Sequence, residues 1–192
     1  MSEPLLRVFQ EREALLEGHF LLSSGLHSAR YLQCARVLMD PVLATRLGAE
    51  LALQLRPSLA GRTVTAVVAP ALGGVVIGQE VARALGALAL FTEREGGRMT
   101  LRRGFRLGPS DVTVVAEDVI TTGGSTREVI EVVTGLGARV EAAVSVVNRS
   151  GGEGAALPVP LHSLMKIDVP TYAPADCPLC AGGSTAVKPG SR

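Results

Sequence analysis

The chain has 192 residues, 47% of them hydrophobic, which is enough to bury one core but short for two domains. Its 19 basic and 18 acidic side chains nearly cancel and form no long run of one sign, so the charge balance disfavours binding to nucleic acid or to a membrane surface. Aromatic residues make up only 3%, so stacking platforms for single strands are also poorly supplied. We therefore expect a single domain, residues 1–192, that acts on small molecules.

The N-terminus and the cysteines bear on the cellular compartment. The first residues lack a basic region followed by a long apolar stretch, so we expect neither a signal peptide nor a membrane span. Three cysteines are an odd and small number for a secreted protein stapled by disulfides. Both features predict a cytoplasmic protein.

Hydrophobic spacing predicts two helices in the first part of the chain, and then an alternation of strands and helices. The apolar face of the first helix would consist of Leu5, Leu6, Phe9, Leu15 and Leu16. The second helix is predicted over 41–55, with Pro41 at its first position. Further along, the predicted strands are 63–69, 88–92, 112–116 and 142–147, and the predicted helices are 75–85 and 125–136.

The alternation of strands and helices predicts an α/β fold with a mainly parallel, twisted sheet and helices on both faces. Ligands of such sheets bind beyond the carboxyl ends of the strands. Four loops lie there: 69–74, 92–104, 117–125 and 148–152. The tail at 181–192, with its Gly, Pro and Ser residues, is expected to be loosely ordered.

The most unusual of these loops follows the strand at 112–116. Glu117 and Asp118 place two carboxylates at the end of the strand, where they can accept hydrogen bonds from a vicinal diol such as that of ribose. Residues 121–125, Thr-Thr-Gly-Gly-Ser, then lead into a helix, so their N–H groups and hydroxyls converge at the positive end of the helix dipole. This pattern predicts a site for a ribose 5-phosphate.

Other phosphate-binding loops fit this segment less well. It has no Lys before its Ser or Thr, as a P-loop requires, and it lacks the G-x-G-x-x-G of dinucleotide sites. The simpler alternative is a capped helix after a buried strand, with the two carboxylates merely exposed.

Residues 114–126, Val-Val-Ala-Glu-Asp-Val-Ile-Thr-Thr-Gly-Gly-Ser-Thr, resemble the signature of type I phosphoribosyltransferases. The resemblance implies a Mg²⁺-dependent enzyme that uses phosphoribosyl pyrophosphate, with Asp118 and Arg94 as catalytic residues. The implied contacts with this donor are Arg94, Glu117, Asp118, Val119, Ile120, Thr121, Thr122, Gly123, Gly124 and Ser125. A second loop, with Ala71, Leu72 and Gly73, would bind pyrophosphate through main-chain amides, and the bond between Ala71 and Leu72 is the candidate for a cis peptide.

Two further segments resemble orotate phosphoribosyltransferases in particular. Residues 19–33 are similar to the segment that covers the base, so residues 1–40 are expected to form an N-terminal hood; an ordinary polar loop is the alternative. Arg149 follows the strand at 142–147, and a guanidinium there can grip a carboxylate bidentately. The resemblance assigns Arg149 and Thr121 to orotate, whose carboxylate distinguishes it from uracil. The simpler alternative is that Arg149 is a surface arginine in a turn, without a ligand.

Residues 91–105 look like the mobile catalytic loop of this family. The loop carries Arg94, Arg98, Arg102 and Arg103, of which Arg94 best matches a family cation. In the family this loop reaches into the neighbouring subunit's site, which implies a homodimer with shared active sites. The alternative is a solvated hairpin.

The sequence also departs from the family pattern. Many orotate enzymes have a lysine in the hood and another in the pyrophosphate loop, where this chain has Ser23 and Gly73. The mobile loop contains arginines but no histidine. The pyrophosphate end of the site is therefore expected to differ from that of many relatives.

The sequence predicts no metal ligands. Cys177 and Cys180 have zinc-knuckle spacing but supply only half of a tetrahedral site, so they are either two free thiols or half of a site completed across a dimer. The three histidines, His19, His27 and His162, are scattered along the chain.

The predicted reaction is transfer of the 5-phosphoribosyl group from phosphoribosyl pyrophosphate to orotate, which gives orotidine 5′-monophosphate and pyrophosphate in pyrimidine biosynthesis. Two other functions stay open: a phosphoribosyltransferase for a purine or for uracil, and a regulator that senses phosphoribosyl pyrophosphate. Arg149 disfavours the first, and the regulator would be expected to carry a basic face or an added nucleic-acid-binding module.

Overall fold

The structure, a computed structural model, describes residues 2–22, 24–151 and 155–188. The chain forms nine strands and six helices within these ranges, together with a short 3₁₀ turn at Pro174–Asp176. In chain order they are α1 Ser2–Glu11, β1 Leu15–Leu21, β2 His27–Leu32, α2 Ala35–Leu38, α3 Pro41–Leu59, β3 Ala66–Pro70, α4 Gly74–Leu85, β4 Leu88–Glu95, β5 Arg98–Leu101, β6 Val112–Ile120, α5 Gly124–Gly135, β7 Arg139–Asn148, β8 Leu161–Lys166, β9 Thr171–Tyr172 and α6 Pro178–Ala181.

The central sheet has six strands in the order β5-β4-β3-β6-β7-β8. All neighbours are parallel except β4 and β5, which form an antiparallel pair at one edge. Strand β6 lies in the middle of the sheet. The carboxyl ends of β3, β4, β6 and β7 lie together at one end of the strands. The predicted fold, a mainly parallel α/β sheet, is confirmed.

Helices cover both faces of this sheet, because successive side chains of a buried strand point to opposite sides. In β3, Val67 packs into the larger core, which contains Leu47, Leu51 and Leu55 of α3 and Ile77 and Val81 of α4. Val68 packs into the other core, which contains Val129, Ile130 and Val133 of α5. Double burial explains why the strands read as continuous apolar runs.

Helix α3 begins where the sequence predicts. The Oδ1 atom of Asp40 accepts hydrogen bonds from the N–H groups of Val42 and Leu43, at 3.1 and 3.2 Å, and Pro41 occupies the first helical position. Both features are typical of a helix N-terminus, since a side-chain oxygen there satisfies N–H groups that have no partner within the helix.

A second sheet is built mainly from the first part of the chain. It has three strands in the order β1-β2-β9, all antiparallel. We call this sheet, with helix α1, the hood. The C-terminal segment also contacts it, because the N–H of Val187 donates to the carbonyl oxygen of His19 (2.8 Å) and the N–H of Leu21 donates to Val187 (2.9 Å).

Two predictions of local structure are wrong. The first helix ends at Glu11, and Leu15 and Leu16 lie in β1, because Leu15 pairs with Leu32 across the hood sheet. Residues 92–104 were expected to be a loop, yet most of them continue β4 and form β5, joined by a tight turn at residues 96–97. In both places pairing with a strand outweighs the local pattern.

Strands β1, β2, β8 and β9 were not predicted. Within the described residues, no helix has the combination of length and apolar character that crossing a bilayer requires.

Candidate functional site

The phosphate loop, residues 121–125, lies at the point where β6 ends and α5 begins. Gly123 is the N-cap of α5 and has φ 77°, and a Cβ there would lie 3.0 Å from the Cβ of Ala155. Glycine is therefore required both by the left-handed backbone and by the space. A cavity of about 310 Å³ opens over the loop, lined by residues 119–126 with Glu117, Arg94 and Glu128. The predicted loop residues thus line one cavity at a helix N-terminus, where an anion is stabilised.

Glu117 and Asp118 are largely buried at the end of β6. Burial raises the pKa of Glu117 to about 9, with further contributions from the charge of Asp118 and a hydrogen bond between the two carboxyl groups. Burial also raises the pKa of Asp118, although its Oδ1 atom accepts a hydrogen bond from the N–H of Val119 (2.8 Å). The pair therefore holds a proton at neutral pH. Two carboxyl groups removed from water in this way are suited to bind hydroxyls or a cation.

The loop at 71–74 touches this carboxylate pair. The peptide bond between Ala71 and Leu72 is cis, as predicted, and the N–H of Ala71 donates to the carbonyl oxygen of Thr92 (2.8 Å). A Cβ at Gly73 would lie 2.9 Å from Oδ1 of Asp118. Any side chain at position 73, a lysine included, must therefore move the carboxylate of Asp118.

Arg149 lies directly beside the phosphate loop, on the other side of β6 from the loop at 71–74. The backbone N–H of Arg149 donates to the carbonyl oxygen of Ile120 (2.7 Å), the last residue of β6. Among the described residues, the Nε atom of Arg149 is buried and has no hydrogen-bond partner, and burial lowers the pKa of the guanidinium. The hydroxyl-bearing side chain of Tyr31, in β2 of the hood, is a near neighbour that favours the charged form. A half-buried guanidinium whose Nε lacks a hydrogen-bond partner is suited to bind an anion.

Arg94 lies on the opposite wall of the cavity. Its guanidinium pairs with the carboxylate of Glu128 in α5 through two contacts, at 2.9 and 3.0 Å, and also donates to the carbonyl oxygen of Gly97 (2.9 Å). The structure therefore places Arg94 at the phosphate loop of its own chain, whereas the resemblance implies that it acts in the site of a neighbouring subunit. An exposed ion pair of this kind contributes little stability, so a phosphate can replace Glu128.

The other arginines of the hairpin lie farther along it. Arg103 makes a bidentate pair with Glu93, at 2.7 Å for both contacts, and Arg102 lies 3.3 Å from Glu95. Arg98 is exposed at the start of β5. None of these three lines the cavity over the phosphate loop.

Sequence reasoning missed Glu128, which follows the phosphate loop on α5. It has no sequence signal, because its partner is distant in the chain: Arg94 precedes Glu128 by 34 residues. Tyr31 was included only as a member of the segment 19–33, and the strand that carries it was not predicted.

Comparison with known proteins decides the family. No protein-family model matches the chain. Over 188 residues, the chain is 50% identical to orotate phosphoribosyltransferase from Carboxydothermus hydrogenoformans, and the match covers 98% of this chain and 97% of the relative. The chain belongs to the orotate phosphoribosyltransferase family.

Solved structures agree with this membership. Orotate phosphoribosyltransferase from Aeropyrum pernix superposes with a TM-score of 0.70 and is 30% identical, with 85% of this chain and 93% of the other covered. An adenine phosphoribosyltransferase superposes with a TM-score of 0.64 at 20% identity, with 82% of this chain and 99% of the other covered. Because an adenine enzyme has the same fold, the fold does not select the base.

The buried carboxylate pair predicts a dependence of stability on pH. Glu117 has a raised pKa in the folded state, so its contribution to stability is fully present below the unfolded value of 4.5 and is lost as the pH rises towards about 9. Glu117→Gln keeps the shape without the ionisation. As the pH rises through this window, the unchanged protein should lose stability that the variant keeps. We expect the free energy of unfolding of the variant, minus that of the unchanged protein, to increase by up to ~1.4 kcal/mol per pH unit.

Urea denaturation at a series of pH values measures this difference. Glu131→Gln, on the exposed face of α5, is the matched control and should leave the pH profile unchanged. Parallel profiles for Glu117→Gln and the unchanged protein would show that Glu117 ionises normally.

Proposed function

We propose that the cavity at the carboxyl edge of the sheet transfers the 5-phosphoribosyl group from phosphoribosyl pyrophosphate to orotate, giving orotidine 5′-monophosphate and pyrophosphate. Family membership supports this reaction, which belongs to pyrimidine biosynthesis. The single observation that carries the choice of base is the half-buried Arg149, whose buried Nε has no hydrogen-bond partner among the described residues. A carboxylate is the group that completes such a guanidinium, and orotate carries one.

The donor would occupy the two loops on either side of Asp118. The 5-phosphate fits at residues 121–125, where N–H groups and hydroxyls meet the N-terminus of α5. Glu117 and Asp118 would accept hydrogen bonds from the ribose hydroxyls. The pyrophosphate fits over the loop at 71–73, whose Gly73 leaves the backbone bare next to Asp118.

The proposed cofactor is Mg²⁺, which would arrive with phosphoribosyl pyrophosphate. Glu117 and Asp118 fit it, because they are hard oxygen donors beside the loop proposed for pyrophosphate, and this cation is commonly held by one or two carboxylates together with substrate phosphates. When bound, it supplies charge neutralisation to the leaving pyrophosphate.

Charge moves in a defined direction during the reaction. As the ring nitrogen of orotate attacks the anomeric carbon, the ribose becomes positively charged and negative charge grows on the pyrophosphate. Arg94, once it leaves Glu128, would stabilise that negative charge in the partner subunit's site, in the dimer proposed below. Glu117 and Asp118 hold the sugar at the side of the developing positive charge. The hood would cover the base from the side of Tyr31, and closure of residues 92–104 would exclude water.

We also propose a homodimer with shared active sites and a cytoplasmic location. The resemblance of residues 91–105 to a loop that acts across subunits supports the dimer. The reducing compartment is supported by the cysteines, since none of Cys34, Cys177 and Cys180, all within the described residues, forms a disulfide. Phosphoribosyl pyrophosphate and orotate are the proposed partners, without nucleic acid or membrane.

In the presence of Mg²⁺, the purified protein should release pyrophosphate from phosphoribosyl pyrophosphate when orotate is the acceptor. The expected result is release with orotate and little with uracil, adenine, hypoxanthine or xanthine, because only orotate offers Arg149 a carboxylate. A coupled pyrophosphate assay measures the rates. Faster release with another base would contradict the assignment.

The role of Arg149 can be separated from donor binding. We expect Arg149→Ala to weaken orotate by about 2–5 kcal/mol, since it removes one partner of a buried charge pair, while the affinity for phosphoribosyl pyrophosphate changes little. Steady-state KM values and calorimetric titration of each substrate measure the two effects. Arg127→Ala is the control, because Arg127 lies half-buried near the loop and donates to the carbonyl oxygen of Ala156. An equal loss for both substrates would contradict the role.

Shared active sites can be tested with a mixed dimer of Arg94→Ala and Asp118→Asn subunits. If Arg94 acts in the partner's site, each mixed dimer regains one intact site, and a random mixture should recover about one quarter of the unmodified rate. If the pairing of Arg94 with its own cavity persists in catalysis, both sites of the mixed dimer are defective. Activity no higher than that of the parents would then count against sharing.

A further inference from the structure

Two histidines of the hood and two cysteines near the C-terminus meet at one point, away from the phosphoribosyl site. His19 lies in β1 and His27 begins β2, while Cys177 follows the 3₁₀ turn and Cys180 lies in α6. Each presents one nitrogen or sulfur atom, and these four atoms all lie within 4.8 Å of one another. Sequence reasoning did not connect them, because about 150 residues separate the histidines from the cysteines.

The distances between these atoms, from 2.9 Å up to no more than 4.8 Å, are close to those of a tetrahedral metal site. Nε2 of His19 lies 3.5 Å from Sγ of Cys177 and 3.8 Å from Sγ of Cys180, and Nδ1 of His27 lies 3.3 Å from Sγ of Cys180. Zinc bonds to sulfur of about 2.3 Å and to nitrogen of about 2.0–2.1 Å imply ligand atoms roughly 3.3–3.8 Å apart. The two nitrogens lie 2.9 Å apart, so they need to separate only slightly.

The orientation of His19 is fixed by a group outside the cluster. Its Nδ1 atom lies 3.1 Å from the carbonyl oxygen of Ser184, so this nitrogen carries the proton and donates it. In the neutral ring, Nε2 then carries the lone pair, which faces the two sulfur atoms. Metal-binding histidines are commonly held by a hydrogen bond of this kind, which fixes both the tautomer and the direction of the ring.

Burial favours a metal over four ordinary polar side chains. His19 is 7% exposed, His27 8% and Cys177 2%, whereas Cys180 lies at the surface. Without a metal, these buried polar atoms lose their hydrogen bonds to water and receive only weak hydrogen bonds from the thiols in exchange. With a metal, each lone pair is used, and the exposed side at Cys180 gives the ion a path of entry.

We propose that His19, His27, Cys177 and Cys180 bind one Zn²⁺ ion. Two thiolates and two imidazoles form a ligand set that selects zinc over Mg²⁺, which prefers oxygen. Four protein ligands leave no open position, so the site is structural and takes no part in phosphoribosyl transfer. The half-site formed by Cys177 and Cys180 is completed within the same chain, by the hood.

The proposed ion would tie the C-terminal segment to the hood. The link already has backbone support, since Val187 and His19 are hydrogen-bonded and His27 pairs with Tyr172 of β9. Because the two halves of the ligand set are so far apart in sequence, the unfolded chain has no preformed site. Metal binding is then coupled to the folding of the hood.

Metal content of the full-length protein, purified without a tag and without chelators, tests the proposal. Elemental mass spectrometry of the acid-digested protein should find about one zinc ion per chain. The double variant Cys177→Ser, Cys180→Ser should bind zinc roughly 100-fold more weakly or worse. Loss of a residue that only hydrogen-bonds to a metal ligand already weakens metal binding by up to about 100-fold, and loss of the ligands themselves should cost at least as much. Cys34→Ser is the matched control, because Cys34 is buried elsewhere and should leave the zinc content unchanged.

A second measurement does not depend on how well the variants fold. The unmodified protein, stripped of metal and titrated with Co²⁺, should develop the visible bands of tetrahedral cobalt and the near-ultraviolet band of thiolate coordination. A zinc-free protein with three titratable thiols, a disulfide between Cys177 and Cys180, or a cobalt complex without thiolate absorption would each overturn the proposal. These readouts are independent of transferase activity, so they stand or fall apart from the proposed reaction.

Discussion

The burial of two adjacent carboxyl groups, Glu117 and Asp118, at the end of β6 is the constraint on which the site depends. A central strand covered on both faces carries them out of water, and the like charges so close together cannot both ionise freely. The arrangement is unfavourable in the free protein. It becomes favourable when hydroxyls or a cation replace the lost water, which is what the proposed donor would bring.

The rest of the cavity is organised around this acidic centre. The helix N-terminus at residues 121–125 supplies partial positive charge on one side, and Arg94 supplies a full charge on the other. Gly73 keeps the third side free of any side chain, because a Cβ there would meet Asp118. Arg149 lies beyond Ile120 and is the residue proposed to bind the carboxylate of orotate.

The hood connects the choice of base to the C-terminal segment. Strand β2 brings Tyr31 close to Arg149, and the same strand begins with His27 of the proposed zinc site. A metal there would hold together a sheet of only three short strands, which by itself has little core. The proposed ion would therefore link the stability of the hood to the shape of the side proposed to bind the base, although the ion would take no part in the reaction.

The sequence alone predicted the central α/β sheet and the phosphate loop, because both depend on local patterns: apolar runs for buried strands, and Thr-Thr-Gly-Gly-Ser at a helix start. The cis bond at Ala71 and the position of Arg149 after β7 also followed from the sequence by resemblance. Only the tertiary structure decided where β1 replaces the predicted helix, that residues 92–101 form the hairpin that the sequence left as an alternative to a loop, and that Arg94 pairs with Glu128. It also brought His19 and His27 to Cys177 and Cys180. These features depend on contacts between distant residues, and a local pattern carries no information about which distant groups the fold will place side by side.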